Sequence, residues 1–330
     1  MAAPVYITTL CRYEHFRRCI ESLATCSMAD QTDVYIALDY PLTEKHREGW
    51  TKIGLFLDNF RQHSPFKKLS IIKRVSNYGP FLNEIKTLEE YIIPNYDCWI
   101  FSEDDNEFSP NFLEYINCCL THFHDDKRVL AVCGYNWPQY NIKSDRNNWY
   151  RQNVYYSAWG VGIWRDRWIE SHRKLRSDGY FRKHLHNPLS LWKIWRTGSH
   201  NVQLFLNFSL LKNYKYYIYD EVYAAYMHLE DQYVVMPTSS KVRNHGFDGS
   251  GIHCANKSSS INTLIDLDEH FSLLGDDTHF HHNRRAIVNG NIGFRKVPSW
   301  LFKRFSGRWS SPYLEEWENP FLIKVGSEYL

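Results

Sequence analysis

The stretch Cys98-Trp99-Ile100-Phe101-Ser102-Glu103-Asp104-Asp105-Asn106 runs from apolar and aromatic residues straight into three consecutive acids. A short apolar run bounded by polar residues reads as a buried strand, here Cys98–Phe101. Three carboxylates at the end of a buried strand repel one another, and keeping them charged is costly without a cation close by. A hard divalent ion, held by one or two carboxylates and by the phosphates of a ligand, would offset that cost. The competing reading is structural. Ser109-Pro110 opens a helix expected over Asn111–His122, and acids favour helix N-termini.

Upstream of this stretch the pattern alternates. Pro4–Leu10 (PVYITTL) reads as a strand, and Tyr13–Thr25 as a helix with Phe16, Cys19, Ile20 and Leu23 on its apolar face. Asp33–Leu38 is a second strand, ending at Asp39 and a turn at Pro41; a helix over Glu44–His63 leads to a third strand, Leu69–Val75. Asn77-Tyr78-Gly79-Pro80 breaks that strand, and Phe81–Ile93 is helical. Such alternation predicts βαβ units and an α/β fold with a mainly parallel sheet. Ligands of these sheets bind beyond the carboxyl ends of the strands. That places Thr9–Arg12, Asp39, Arg74–Gly79 and Ser102–Asp105 at the expected binding edge.

The second half is less regular. Val129–Gly134 reads as a strand, Asn136–Asn153 as a polar and aromatic loop, and Arg165–Arg173 as a helix. Tyr156–Trp164 (YSAWGVGIW) sets Gly160 and Gly162 between tryptophans and suits either a wall of a sugar site or a buried turn. A helix is expected over Ser199–Asn213, a strand over Tyr216–Tyr219, a helix or turn over Glu221–Leu229 and a strand over Val234–Met236. The Ser-, Gly- and Asn-rich Thr238–Ser260 is expected to be a mobile lid. Residues 1–135 are expected to form a ligand-binding half, 136–260 a half carrying the lid, and 261–330 a C-terminal helical extension, all within one continuous unit.

Composition narrows the classes. The chain has 330 residues with 39 Lys+Arg against 37 Asp+Glu, a net charge of +2 that supplies no basic stripe for nucleic acid. At 43% hydrophobic and 23% charged residues it is neither disordered nor fibrous. Aromatic residues reach 16%, and such rings both fill cores and stack on sugars. The eight cysteines form no C-x-x-C pair, and Met1-Ala2-Ala3-Pro4 lacks the pattern of a secretion signal, so reduced thiols and a cytoplasmic location are expected. Basic residues interleaved with aromatics over Phe294–Trp309 suit either a docked helix or peripheral contact with the anionic inner face of the plasma membrane.

The run Glu103-Asp104-Asp105-x₄-Pro110-x-Phe112-x₂-Tyr115 after a strand resembles the metal-binding region of nucleotide-sugar glycosyltransferases of the GT-A fold, most of all N-acetylglucosaminyltransferase I and its relatives. Pro4-Val5 with Cys11-Arg12 and Arg17-Arg18-Cys19 is similar to that family's nucleotide-binding opening. Tyr219-Asp220-Glu221-Val222-Tyr223 resembles its base-bearing segment, and Ser239–Gly246 its donor-covering loop.

The resemblance implies a GT-A sheet and a metal-dependent, inverting transfer of sugar from UDP-sugar to a hydroxyl of a glycan or lipid-linked saccharide, in bacterial surface polysaccharide synthesis. Mn²⁺ or Mg²⁺ would be held by Asp105, with His245 or His253 completing the shell. Thr9, Arg12, Asp39, Asn77, Gly79, Lys86, Glu103, Asp104 and Arg243 would hold the nucleotide-sugar. Glu221 is the first choice of base and Asp220 the second. Two other classes stay open. A nucleotidyltransferase acting on sugar phosphates would show a glycine-rich phosphate loop, which Leu10-Cys11-Arg12-Tyr13 lacks. A non-catalytic carbohydrate-binding protein would need no acid cluster.

Overall fold

The computed structural model describes residues 2–137, 148–177, 180, 183–184, 187–195, 219–250 and 263–275. Its centre is an eight-stranded sheet flanked by helices, a mixed α/β fold. The strands are β1 (Val5–Thr9), β2 (Asp33–Leu38), β3 (Lys68–Lys73), β4 (Cys98–Glu103), β6 (Val129–Cys133), β7 (Trp149–Gln152), β8 (Val161–Trp164) and β9 (Tyr233–Pro237), in the order β3-β2-β1-β4-β8-β6-β9-β7. Two short strands, β5 (Asn106–Phe108) and β10 (Val242–Asn244), pair separately.

The first four strands of the order are parallel, as the alternating sequence predicts. Beyond them the sheet is mixed: β8 runs antiparallel to β4 and β6, and β7 antiparallel to β9. The mainly parallel expectation holds: four of the seven pairings are parallel, β6 with β9 among them, and the antiparallel ones all involve β7 or β8. Both faces are covered. Val5, Ile7, Val34, Ile36 and Leu38 enter one buried cluster, while Tyr6, Tyr35 and Ala37 enter the other. That is the period-2 alternation of strands buried on both sides.

Helices α1 (Tyr13–Ala24), α2 (Glu44–Phe60) and α3 (Gly79–Thr87) connect the parallel strands. Helix α1 buries Phe16, Cys19, Ile20 and Leu23, the face expected from their spacing. Helix α3 gives way to a π-helical turn over Leu88–Ile92, so the single helix expected there is two segments. Helix α4 (Phe112–His122) follows the acids, α5 (Arg165–Arg176) follows β8, and α6 (Pro188–Trp195) precedes α7 (Tyr219–Leu229).

Several expectations change. Strand β4 continues to Glu103, so the first acid lies on the strand itself. The region expected to be a loop over Asn136–Asn153 contributes β7, whose four residues are all buried. Tyr219, expected to end a strand, begins α7. The first part of the expected lid is not loose, because Val242–Asn244 forms β10 against β5. Residues 263–275 run without helix or strand, tied down by the Asp266 N–H to Ser240 O at 2.9 Å and the Phe271 N–H to Glu114 at 2.8 Å. The helix expected over Ser199–Asn213, His253 with residues 251–260 of the expected lid, and the basic tail Phe294–Trp309 lie outside the described residues. No helix among the described residues is long and apolar enough to cross a membrane.

Candidate functional site

The register of the parallel strands builds one edge. Thr9 pairs with Leu38, Thr8 with Glu103 and Leu38 with Lys73, so the carboxyl ends of β1 to β4 lie side by side. From β1 the chain steps outward through β2 to β3, then returns to the other side of β1 as β4. The strand order thus reverses between β1 and β4, where open α/β sheets form a crevice for ligands. Thr9 and Arg12 leave β1 at that point, and Glu103, Asp104 and Asp105 leave β4.

These residues are joined directly. The Thr9 hydroxyl donates to Asp104 Oδ2 at 2.8 Å. Arg12 pairs with Asp104 Oδ1 through Nη2, and with Asp105 Oδ2 through Nη1 at 2.8 Å. Burial works against the Arg12 charge, but the two aspartates outweigh it and hold the guanidinium's pKa above its usual value. Burial also raises Asp104, with Arg12 opposing. Glu103 is raised well above the carboxylate range, first by burial and then by the charges of Asp105 and Asp220. Asp220 stands on α7, so its charge acts on the acids from a third element.

Asp220 receives the Ala158 N–H on Oδ1 at 3.0 Å, and burial pushes it up to about 7. Glu221 is buried, and burial followed by the Asp220 charge pushes it up to about 8. Both acids therefore lie where a carboxylate can change protonation near neutral pH.

Strand β10 closes over the cluster. The Asn244 amide donates to Asp105 Oδ1 at 2.7 Å and to Asn106 Oδ1 at 2.9 Å, and the His245 N–H donates to the Asp105 carbonyl at 2.8 Å. Asn106 in turn donates to the Ser102 hydroxyl at 2.9 Å. A Cβ on Gly246 would stand 2.3 Å from Asp105 Oδ2, so only glycine admits this approach. Gly246→Ala is expected to cost about 1–3 kcal/mol, the usual size of overpacking; urea unfolding at neutral pH checks it.

Other predicted site residues take different partners. The His245 ring contacts Glu107 at 2.7 Å, and Arg243 donates to Glu107 at 3.3 Å and to the Thr263 carbonyl at 3.1 Å. Lys86 pairs with Glu89 at 3.1 Å. Asp39, Asn77 and Gly79 form a second cluster along the edge. Asp39 Oδ1 accepts the N–H groups of Tyr40 and Tyr78, each at 2.9 Å; Oδ2 accepts the Gly79 N–H at 2.8 Å and the Asn77 amide at 3.3 Å. Gly79 has φ +73°, a conformation open to glycine. Asp39 thereby fastens the turn after β3 to the end of β2.

Asn244 and Glu107 were not singled out from sequence. The signal for Asn244 was present in the segment that resembles a donor-covering loop. Glu107 stands one residue past Asn106 with no motif of its own.

The donor set suits a hard cation. Glu103, Asp104, Asp105 and Asp220 bring four carboxyl groups to this end of the sheet, and Arg12 contacts two of them, Asp104 and Asp105. No group of three or more His, Cys, Asp or Glu placed to hold a metal ion occurs among the described residues. A cation here would take one or two carboxylate oxygens and fill its shell from a ligand's phosphates and water.

No protein-family model and no curated protein sequence matches the chain. Among solved structures it is similar to S. aureus TarS, with 13% identity over 38% of this chain and 20% of that one and a TM-score of 0.29. It is also similar to mouse xyloside xylosyltransferase 1 in its apo form, with 10% identity over 70% and 82% of the two chains and a TM-score of 0.32. The galactosyltransferase LgtC in complex with donor and acceptor sugar analogues gives 10% identity over 68% and 70%, and a TM-score of 0.32. The chain spans less than half the length of the first structures it matches, at 20%, 41% and 34%. Superpositions this partial assign nothing further to the chain.

Proposed function

We propose that the protein is a divalent-metal-dependent glycosyltransferase of the GT-A kind that moves a sugar from a UDP-sugar to a hydroxyl of a glycan or lipid-linked saccharide, with inversion. One observation carries the reading: the acids after β4 and the Thr9–Arg12 segment after β1 meet at the reversal of strand order, joined through Thr9, Arg12, Asp104 and Asp105. An acid cluster beside a guanidinium at a sheet crevice suits a diphosphate and its counter-ion.

Asp104 and Asp105 are the residues that would hold Mn²⁺ or Mg²⁺. When bound, such an ion neutralises charge on the departing diphosphate. Thr9 and Asn244 fix the orientation of the two aspartates by hydrogen bonds.

We assign the base to Asp220 ahead of Glu221: the Ala158 N–H holds it just before β8, and Val161 of β8 pairs with Phe101, which sets Asp220 near the end of β4 where the acids leave. Its Oδ1 is engaged by Ala158 N–H, which leaves Oδ2 to take the acceptor hydroxyl's proton. The hydroxyl oxygen then bonds to the anomeric carbon as the bond from that carbon to the phosphate oxygen breaks, its electron pair leaving with the diphosphate. Attack opposite the leaving group inverts the anomeric centre. Trp159, half-buried, adjoins Ala158 and packs against Tyr135 at 4.7 Å, Phe247 at 5.7 Å and Trp137 at 5.9 Å between ring centroids, an aromatic group next to the proposed base.

A panel of UDP-, GDP- and CDP-sugars incubated with the protein, with and without Mn²⁺, tests the reading by release of the nucleoside diphosphate. Mn²⁺-dependent release from one or more UDP-sugars is the expected result. Release without metal, or from no nucleotide-sugar, rejects it.

A further inference from the structure

The four oxygens of Asp104 and Asp105 are divided between two kinds of donor. Asp104 Oδ2 is held by the Thr9 hydroxyl at 2.8 Å and Asp105 Oδ1 by the Asn244 amide at 2.7 Å, both neutral. Asp104 Oδ1 and Asp105 Oδ2 are both held by Arg12. If the guanidinium leaves, one oxygen of each carboxylate is released while Thr9 and Asn244 keep both groups in place. Two oriented carboxylate oxygens are what a Mg²⁺- or Mn²⁺-like ion takes from protein when phosphates supply the rest of its shell.

Arg12 also stands on the solvent side of the pair. Its side chain is 24% exposed, against 7% for Asp104 and 8% for Asp105, so the guanidinium is the most accessible member of the group. Two cations cannot share the same two oxygens at contact distance without strong repulsion. A diphosphate gives Arg12 another partner, since the guanidinium fork matches phosphate as well as carboxylate.

We propose that Arg12 is a displaceable internal counter-ion: it blocks the cation position between Asp104 and Asp105 in the nucleotide-free protein and hands it over when a diphosphate captures the guanidinium. This rests on the metal and diphosphate reading given above. Cation and nucleotide then bind as a coupled pair, and by linkage each raises the other's affinity by the same factor. The device keeps the protein from loading metal before its donor.

The experiment measures Mn²⁺ binding from the paramagnetic resonance signal of the free ion, and UDP binding by calorimetry, for the wild type, Arg12→Gln and Arg12→Lys. Without UDP, Arg12→Gln is expected to bind Mn²⁺ roughly 10- to 100-fold more tightly than wild type, the usual span of a coupling between two ligands. Without Mn²⁺, its UDP affinity is expected to fall. Arg12→Lys, whose single ammonium cannot bridge both carboxylates, should lie between the two and serves as the test if the glutamine variant does not fold. Equal nucleotide-free Mn²⁺ affinity in wild type and a folded variant overturns the inference. If UDP nonetheless strengthens Mn²⁺ binding in both, the metal and diphosphate reading stands. If UDP alters Mn²⁺ binding in none of the proteins, that reading falls and the inference with it.

Discussion

Asp220→Asn is expected to lower sugar transfer by about 10²–10⁴-fold, the usual contribution of a positioned general base. Asparagine keeps the shape and can still accept the Ala158 N–H through its carbonyl oxygen, but it cannot take a proton near neutral pH. UDP binding in the presence of Mn²⁺ should be almost unchanged, because Asp104, Asp105 and Arg12 remain. Glu221→Gln should do less, under about tenfold. Burial pushes Glu221 up to about 8, so at neutral pH it is already mostly protonated and glutamine resembles its protonated form. Near-wild-type turnover of Asp220→Asn with a large loss in Glu221→Gln would exchange the two roles.

The pH profile carries a sign. Burial raises Asp220 to about 7, and the base must be deprotonated to act. The rate should therefore fall by about tenfold per pH unit well below 7 and level off above it. A profile flat from pH 5 to 8 would remove Asp220 from the proton transfer. The configuration of the product, read by NMR from the first turnover, is expected to be inverted; retention would reject the single displacement while leaving the metal prediction untouched.

Asp105→Asn has the second large effect. Asp105 is buried and shares the Arg12 guanidinium with Asp104. The substitution keeps the volume and removes one negative charge, so a cation loses a ligand that no neighbour replaces. Changes one step further from a metal already cost about 10–100-fold in affinity, so loss of the ligand itself should weaken Mn²⁺-dependent UDP binding by about 100-fold or more. Calorimetry with UDP, with and without Mn²⁺, measures this directly. Binding without Mn²⁺ should not weaken, since Asp105 competes with a diphosphate for Arg12, and this separates loss of the ion from damage to the pocket. Equal Mn²⁺-dependent affinity in variant and wild type would show that Asp105 is not the ligand.

What the sequence by itself determined is the N-terminal half. PVYITTL, DVYIAL and WIF each combine β-branched or aromatic residues with punctuation at both ends, and the helices between them carry a 3.6-residue apolar period. Local pattern is enough there, because right-handed βαβ connections leave few ways to arrange such a series. The shared carboxyl edge of the parallel strands followed as well, and with it the placement of Thr9, Arg12, Asp39 and Glu103–Asp105 along that edge.

Tertiary structure decided the rest. Val242-Arg243-Asn244 has no alternation that marks a strand and becomes one by pairing with Asn106–Phe108, more than 130 residues earlier in the chain. Trp149–Gln152 reads as loop in a polar neighbourhood but is buried as β7 beside β9. Asp220 and Glu221 are adjacent in sequence and equal in kind. Which of them takes the Ala158 N–H depends on how α7 is rotated against the turn before β8, which no local pattern records. The two free hands of Arg12 likewise look like any surface cation in sequence. They become a bridge between Asp104 and Asp105 because β1 and β4 are neighbours in the sheet, and Coulomb attraction between groups on those two strands exists only once the sheet has formed.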